Sequence, residues 1–383
     1  MGTTLLKNAR LVLENEICEG IDVLLKNGLV AEISNESEIP DEIIDLESLR
    51  LLPGFIDIHN HGAVGFDVNE SSTDDLVEIA RFLASKGVTA WLPTLVPDSD
   101  ENYRRTIGSI DRLMEKQDNL PIAQALGVHY EGVFANERMC GALRPEFFKS
   151  FKNSNELSKL PRLKTGIHFT TLAPEVENGI ALVEKLVDQN WIVSIGHTKA
   201  DTKLLDEAHS AGARHLTHFF NAMTGLHHRN MGVVGWALTK NAATFDIIAD
   251  GIHVDPKMLK FAVEAKTVDR VSLISDSVLP TGLGDGDYEI WGGKISVSGG
   301  KTQNEKGSIA GSVITMLDAF RMMKSVGFSD SEVSKMASLN PAKLLGVENS
   351  CGSIETGKRA DLVVLDENEN LKMTFVGGVL TGA

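Results

Sequence analysis

Across residues 54–276, short runs rich in β-branched and aromatic residues alternate with longer amphipathic patterns. The short runs are "GFIDIH", "VTAWLPT", "ALGVHYE", "GIHFTTLA", "WIVSIGH", "RHLTH", "FDIIADG" and "VSLISD". Helix-period segments such as "TDDLVEIARFLASKG" and "ENGIALVEKLVDQN" lie between most of them. A strand-length apolar run followed by such a segment reads as a βα unit, and successive βα units pair their strands in parallel. Eight units is the number that closes a (β/α)8 barrel. The competing arrangement is an open doubly wound sheet, but the G-x-G-x-x-G turn after a first strand is missing. The expected fold is therefore α/β, with a barrel over residues 53–348.

The two ends of the chain read differently. "RLVLE" and "GIDVLLKNGLVAEI", the latter broken by an Asn-Gly turn signal, are short strands. The last 30 residues carry "RADLVVLDENENLKMTFVGGVL", again strand-like. Residues 1–52 and 349–383 are thus expected to build one small β domain. The Gly-rich segment 282–300, "GLGDGDYEIWGGKISVSGG", reads as a hairpin insertion. No internal repeat interrupts this plan.

A formal charge of −16 argues against nucleic acid or an anionic membrane as partner, since both need a basic field. An anionic small substrate would need a local cationic pocket. Cys18, Cys140 and Cys351 form neither a C-x-x-C pair nor a disulfide framework, so a reducing cytoplasm is the expected setting. The N-terminal stretch is not patterned as a signal peptide, and no apolar run approaches the roughly 18 residues of a membrane span.

The ionisable residues fall on this frame in a telling way. His59 and His61 end the first strand, and positions i and i+2 of a strand face the same side. Chance alone gives about 0.3 such His-x-His pairs at this His content, so the pair by itself decides nothing. His129 and Glu131 end the third strand, His197 the fifth, His218 the sixth and Asp276 the eighth, while His253 follows the seventh. Barrel chemistry sits at the C-terminal ends of the strands, and His, Glu and Asp are ligand types for hydrolytic metals. His59, His61, Glu131, His197, His218 and Asp276 together point to a metal site. His129, His168, His209 and His215 are expected to be structural, with His129 a possible support for a ligand. Asp57, inside the first strand, is expected to anchor a turn or orient a ligand.

At these residues the sequence resembles the amidohydrolase superfamily and, within it, the N-acetylglucosamine-6-phosphate deacetylase family. The matching pieces are "PGFIDIHNHG", "GVHYEG", "TLAPE", "SIGHTKA", "LTHFFNAM", "IADGIHVDP", "ISDS", "IAGSVITM", "NPAKLLG" and "GSIETGKRADLVVLD", in family order across nearly the whole chain. The resemblance implies a distorted (β/α)8 barrel with a small β-sandwich formed by both termini. It implies that Glu131, His197 and His218 hold one divalent metal. His59 and His61 hold a second, with Glu131 bridging, so one or two ions bind, Zn or Fe. Asp276 becomes the general acid and base for hydrolysis of an N-acetyl group by metal-activated water. Arg229 would bind a sugar phosphate through its forked donors. Asn221, Ala222 and His253 would hold the sugar, and Ile309 would touch the acyl side. The implied partner is an amino sugar phosphate, and the implied assembly is a homodimer whose neighbouring subunit completes the phosphate pocket.

The sequence departs from the family in one place. The family reads Glu-Gly-Pro after the third strand, followed by a substrate-contacting His; here Val133 replaces the Pro and Leu143 stands where the His is expected. Either His129, Arg144 or His228 supplies the missing donor, or the substrate differs. The alternative function is another deacylase or cyclic amidase of the same superfamily.

Overall fold

The computed structural model describes residues 2–34, 39–153, 156–157 and 160–381; the remainder, including the outermost residues of both terminal segments, lies outside the described residues. All eight anticipated barrel strands are present. They are Phe55–Asn60, Val88–Leu95, Gly127–Phe134, Ile167–Leu172, Ile192–Ile195, His215–Leu216, Thr244–Ile248 and Val271–Ile274. Neighbours in this order pair in parallel from the first strand to the eighth.

The ring is nearly closed, and its distortion is concentrated at the seam between strands eight and one. No ladder joins those two strands along their length. They meet only at their C-terminal ends, where Asp276 N donates to His59 O at 2.9 Å and His61 N to Ser277 O at 2.8 Å. Below that point the fully buried Asp57 spans the gap, accepting from Ser275 N at 3.2 Å and Ser275 Oγ at 2.6 Å. The barrel interior is filled by Ile56, Ile58, Ala90, Leu92, Phe169, Ile248 and Ile274. Ala342 and Leu345, from the helix Asn340–Leu345, pack into the same cluster. Between the barrel and its surrounding helices lies a second, larger apolar layer that includes Phe55, Trp91, Tyr130, Phe245 and Phe320. Apolar burial on both faces explains why the strands read as continuous apolar runs without alternation.

The termini form one eight-stranded sheet. Its spatial order is Val379–Leu380, Leu371–Val376, Leu362–Leu365, Arg50–Pro53, Thr3–Val12, Ile17–Lys26, Leu29–Ile33, with Glu42–Asp45 also paired to Thr3–Val12. The sheet curls over its own core of Leu6, Leu11, Val23, Leu25, Leu51, Leu362, Val364 and Phe375. Its edge strand Leu29–Ile33 is tied back to the segment just before Leu362–Leu365, where Val30 N donates to Lys358 O and Ala360 N to Gly28 O, both at 2.9 Å. The Gly-rich insertion is a three-stranded antiparallel sheet, Gly286–Ile290, Gly293–Ser298 and Lys301–Asn304, one strand more than a hairpin.

Candidate metal centre and active site

Six side chains converge at the C-terminal mouth of the barrel in two groups: His59, His61 and Asp276, and Glu131, His197 and His218. Within each group the donor atoms lie within 4.8 Å of one another, and all six residues are buried. His59 Nε2 and His61 Nε2 face each other at 3.0 Å, as do His197 Nε2 and His218 Nε2. Glu131 joins the groups: Oε1 lies 3.0 Å from both His197 Nε2 and His218 Nε2, while Oε2 lies 3.3 Å from His61 Nε2. Asp276 Oδ1 is 3.4 Å from His59 Nε2 and 3.3 Å from His61 Nε2.

Local backbone geometry aims these groups. The ladder of the first strand slips between Asp57 and Asn60, where the histidine pair begins. His197, His218 and Asp276 have φ of 47°, 37° and 48°. Left-handed backbone at a non-glycine residue costs about 1–3 kcal/mol and clusters at functional sites. Here it turns the strand ends so that their side chains face the barrel axis. Gly62 is required after the pair, since a Cβ there would meet Phe66 O at 2.1 Å.

The donor set fits divalent metals. His61 Nδ1 lies 3.2 Å from Thr94 O and His197 Nδ1 2.8 Å from Met139 O. A ring nitrogen beside a carbonyl oxygen carries the proton, which leaves Nε2 as a bare lone pair. Each such lone pair faces the Nε2 of its neighbour, His59 or His218, across 3.0 Å beside two buried carboxylates, so a cation or a proton belongs between the two rings. In the metal-free protein, protons take that place. Burial disfavours the charged imidazoles, but the Asp276 and Glu131 carboxylates outweigh it, raising His61 to about 10. The same contest, led by Glu131, raises His218 to about 9. Burial works to raise Asp276, yet the charges of His59 and His61 hold it below the usual carboxylate range.

A cavity of about 300 Å³ opens onto this cluster. It is lined by His61, Glu131, His197, His218 and Asp276, and by four of the five anticipated substrate residues, Asn221, Ala222, His253 and Ile309. His253 is oriented by Asp250, whose Oδ2 lies 2.6 Å from Nδ1. Arg229 is not brought to this cavity: it is exposed, on the loop beyond Ala222. Leu143 lines the cavity, and none of the three possible replacements for the expected His joins it. His129 is fully buried, with Nδ1 3.2 Å from Ile58 O and Nε2 2.8 Å from Thr171 Oγ1. Arg144 is paired with Asp98 at 2.7 Å, and His228 is exposed.

Several supporting residues were not legible beforehand. Asn60 donates to Ser277 Oγ at 2.7 Å and to Asp57 Oδ2 at 3.1 Å, locking the seam beneath the histidines. Asp246 accepts from His218 N and lies 3.0 Å from His215 Nε2. Trp291, from the insertion, lines the cavity and stands edge-on to His61 with ring centroids 5.5 Å apart.

The amidohydrolase family profile matches residues 50–381. The chain belongs to the amidohydrolase family. It is 34% identical over 381 residues to the N-acetylglucosamine-6-phosphate deacetylase of Bacillus subtilis (strain 168), covering 98% of this chain and 96% of that one. It is 33% identical to the N-acetylgalactosamine-6-phosphate deacetylase of Escherichia coli O157:H7, with 99% of each covered. Among solved structures, the N-acetylglucosamine-6-phosphate deacetylase of Pasteurella multocida superposes with a TM-score of 0.92 at 27% identity, over 100% of both chains. A mutant of the Mycobacterium smegmatis enzyme, in complex with N-acetyl-D-glucosamine-6-phosphate, superposes at 0.90 with 25% identity and the same coverage. Membership in the sugar-phosphate deacetylase branch agrees with the fold and with the donor cluster.

Proposed function

We propose that the protein hydrolyses the N-acetyl group of an N-acetyl-hexosamine 6-phosphate, foremost N-acetylglucosamine 6-phosphate, to acetate and the amino sugar phosphate. The observation that carries this reading is the convergence of His59, His61, Glu131, His197, His218 and Asp276 in one buried cluster, all but His59 lining the cavity, in a chain so similar to deacetylases of that class. Glu131, His197 and His218 would hold one divalent ion; His59 and His61, with Glu131 shared, would hold a second, with Zn or Fe suiting imidazole and carboxylate donors. Such ions acidify a water and polarise the amide carbonyl. Asp276, buried with its Oδ1 3.4 Å from His59 Nε2 and 3.3 Å from His61 Nε2, accepts the proton of the attacking water. It returns that proton to the departing amine nitrogen as the C–N bond breaks. Asn221 and His253 orient the sugar.

No lysine or arginine is among the residues lining the cavity, so the phosphate needs a cation from elsewhere. Arg229 lies on an exposed loop with His227 and His228, and the same loop exposes Leu226 and Met231. A homodimer that packs these loops across the cavity mouth of a neighbour would meet both needs. Three free cysteines suit the cytoplasm, and among the described residues no helix is long and apolar enough to cross a membrane. For the domains, we propose the division already expected: 1–52 with 349–383, and 53–348.

Metal-loaded protein should release acetate from N-acetylglucosamine 6-phosphate or its galactosamine epimer well ahead of unphosphorylated N-acetylglucosamine. No turnover of either phosphate ester, with activity on an N-acyl amino acid or cyclic amide, would replace this reading with the other superfamily chemistry.

A further inference from the structure

The first two strands of the insertion, Gly286–Ile290 and Gly293–Ser298, are joined by a two-residue turn, Trp291-Gly292. Both turn residues have positive φ, 54° and 73°. Such turns favour Asn, Asp or Gly at the first position, because a bulky side chain is strained there. A tryptophan in this position is opposed by its own backbone, so other contacts must hold it. Its Nε1 donates to Asp67 Oδ2 at 2.9 Å. Asp67 is itself buried, and its Oδ1 has no partner among the described residues. Asp67 belongs to the tight hairpin after the metal-facing histidines, in which Gly62–Ala63 pairs with Phe66–Asp67. The turn of that hairpin is fixed to the base of the insertion: Val64 N donates to Thr281 O at 2.8 Å and Gly65 N to Leu279 O at 2.9 Å. Base and tip of the insertion are thus both pinned to the loop that follows His61.

The cavity has two chemically different sides. The loop after strand three brings Ala142 and Leu143, the insertion brings Trp291, and Ile309 adds to this apolar lining. The loops after strands six and seven bring Asn221, Ala222 and His253. Around the nearly closed ring, strand three, which leads to Leu143, stands across from strand seven, which leads to His253, and the indole reaches the same side as Leu143 through its bond to Asp67 in the hairpin after strand one. A substrate whose amide carbonyl sits on the donor cluster therefore lays its polar sugar toward Asn221 and His253. Its acyl tail points at the indole, whose ring centroid is only 5.5 Å from that of His61.

Building on the deacylase reading above, we propose that Trp291 sets the acyl-chain length this enzyme accepts, and that Asp67 is the positioning residue that holds the indole in place. The indole closes the apolar end of the cavity, leaving room for the methyl of an acetyl group and excluding longer chains. Leu143, a departure from the family pattern, then acts as part of the same wall, where an apolar side chain is the fitting one.

The test compares N-acetyl-, N-propionyl- and N-butyryl-hexosamine 6-phosphates. One methylene in an apolar pocket changes kcat/KM by about 10–200-fold. Trp291→Ala should raise the butyryl-to-acetyl ratio of kcat/KM by about tenfold or more. Asp67→Ala should move the ratio the same way, and Asp67→Asn, which keeps an acceptor for the indole, should return it toward wild type. A second readout does not depend on turnover. In the Asp276→Asn protein, saturating N-acetylhexosamine 6-phosphate should change the emission contributed by Trp291, read against the same protein carrying Trp291→Phe. Equal losses for all three chain lengths in Trp291→Ala, or unchanged emission, overturn the proposal. A wild-type protein that turns over none of the sugar phosphates removes the underlying deacylase reading as well, whereas normal wild-type turnover with a fixed ratio removes this inference alone.

Discussion

Two sets of histidines share this barrel, and their ring nitrogens are used in opposite ways. His59, His61, His197 and His218 leave Nε2 facing Nε2 in pairs at 3.0 Å. His129, His168 and His215 each commit Nε2 to a protein partner: Thr171 Oγ1 at 2.8 Å, Leu163 N at 3.0 Å and Asp246 Oδ2 at 3.0 Å. Both sets are buried, so burial does not separate the convergent histidines from the others. Position along the strand does. His168 and His215 lie in the first two residues of their strands, and His129 in the third residue of its own. His61, His197 and His218 lie beyond strand ends, and His59 lies next to last in its strand where the ladder slips, so the backbone there can be redirected. A histidine whose lone pair is already committed has none to give a metal.

The comparison can be broken by substitution on either side, and the largest effect belongs to the shared centre. Asp276→Asn should keep bound metal and lose about 10²–10⁴-fold in kcat, the usual worth of a general acid–base group; wild-type turnover would take Asp276 out of that role. Changing His59 and His61 together to Ala should lower bound metal from two ions per chain to one, counted by elemental analysis, and an unchanged count would return the pair to the structural set. His215→Ala should do the reverse. It removes the partner of Asp246 Oδ2 in a buried site, which costs about 1–3 kcal/mol of stability, while the metal count of the folded fraction stays the same. Arg229→Ala should act more mildly, raising KM for phosphorylated sugars and leaving the unphosphorylated sugar unaffected; an equal effect on both would contradict the phosphate assignment.

The convergence of the six side chains was legible because strand ends can be read from apolar runs, and because i and i+2 share a face. The eight strands and six donors were legible for that reason. The seam was not. Asp57 and Ser275 are 218 residues apart, and nothing local to either position reports the other. Trp291 was hidden differently: its Gly-rich surroundings announce a turn, but its place over His61 depends on Asp67, which lies 224 residues earlier. Arg229 was legible only as part of a motif, and the single chain leaves it outside the cavity.

The smallest prediction separates the two sets by pH alone, in metal-free protein. Burial, helped by Arg162, pushes His168 down to about 4, against an unfolded value near 6.5. The unfolded chain then binds more protons between those values, so this contribution to stability is complete above pH ~6.5 and is lost as pH falls toward 4. Protonation also costs His168 Nε2 the hydrogen bond it accepts from Leu163 N. His61 and His218 have the opposite sign: with folded values of about 10 and about 9, their contribution is complete below pH ~6.5 and is lost as pH rises from there through 9 and 10. His168→Gln should therefore flatten the acid limb of Tm against pH and leave the alkaline limb alone. Metal loading should abolish the alkaline limb, because the ions displace those protons and hold the imidazoles neutral. An alkaline limb that persists in metal-loaded protein would show that His61 and His218 are not the ligands that titrate.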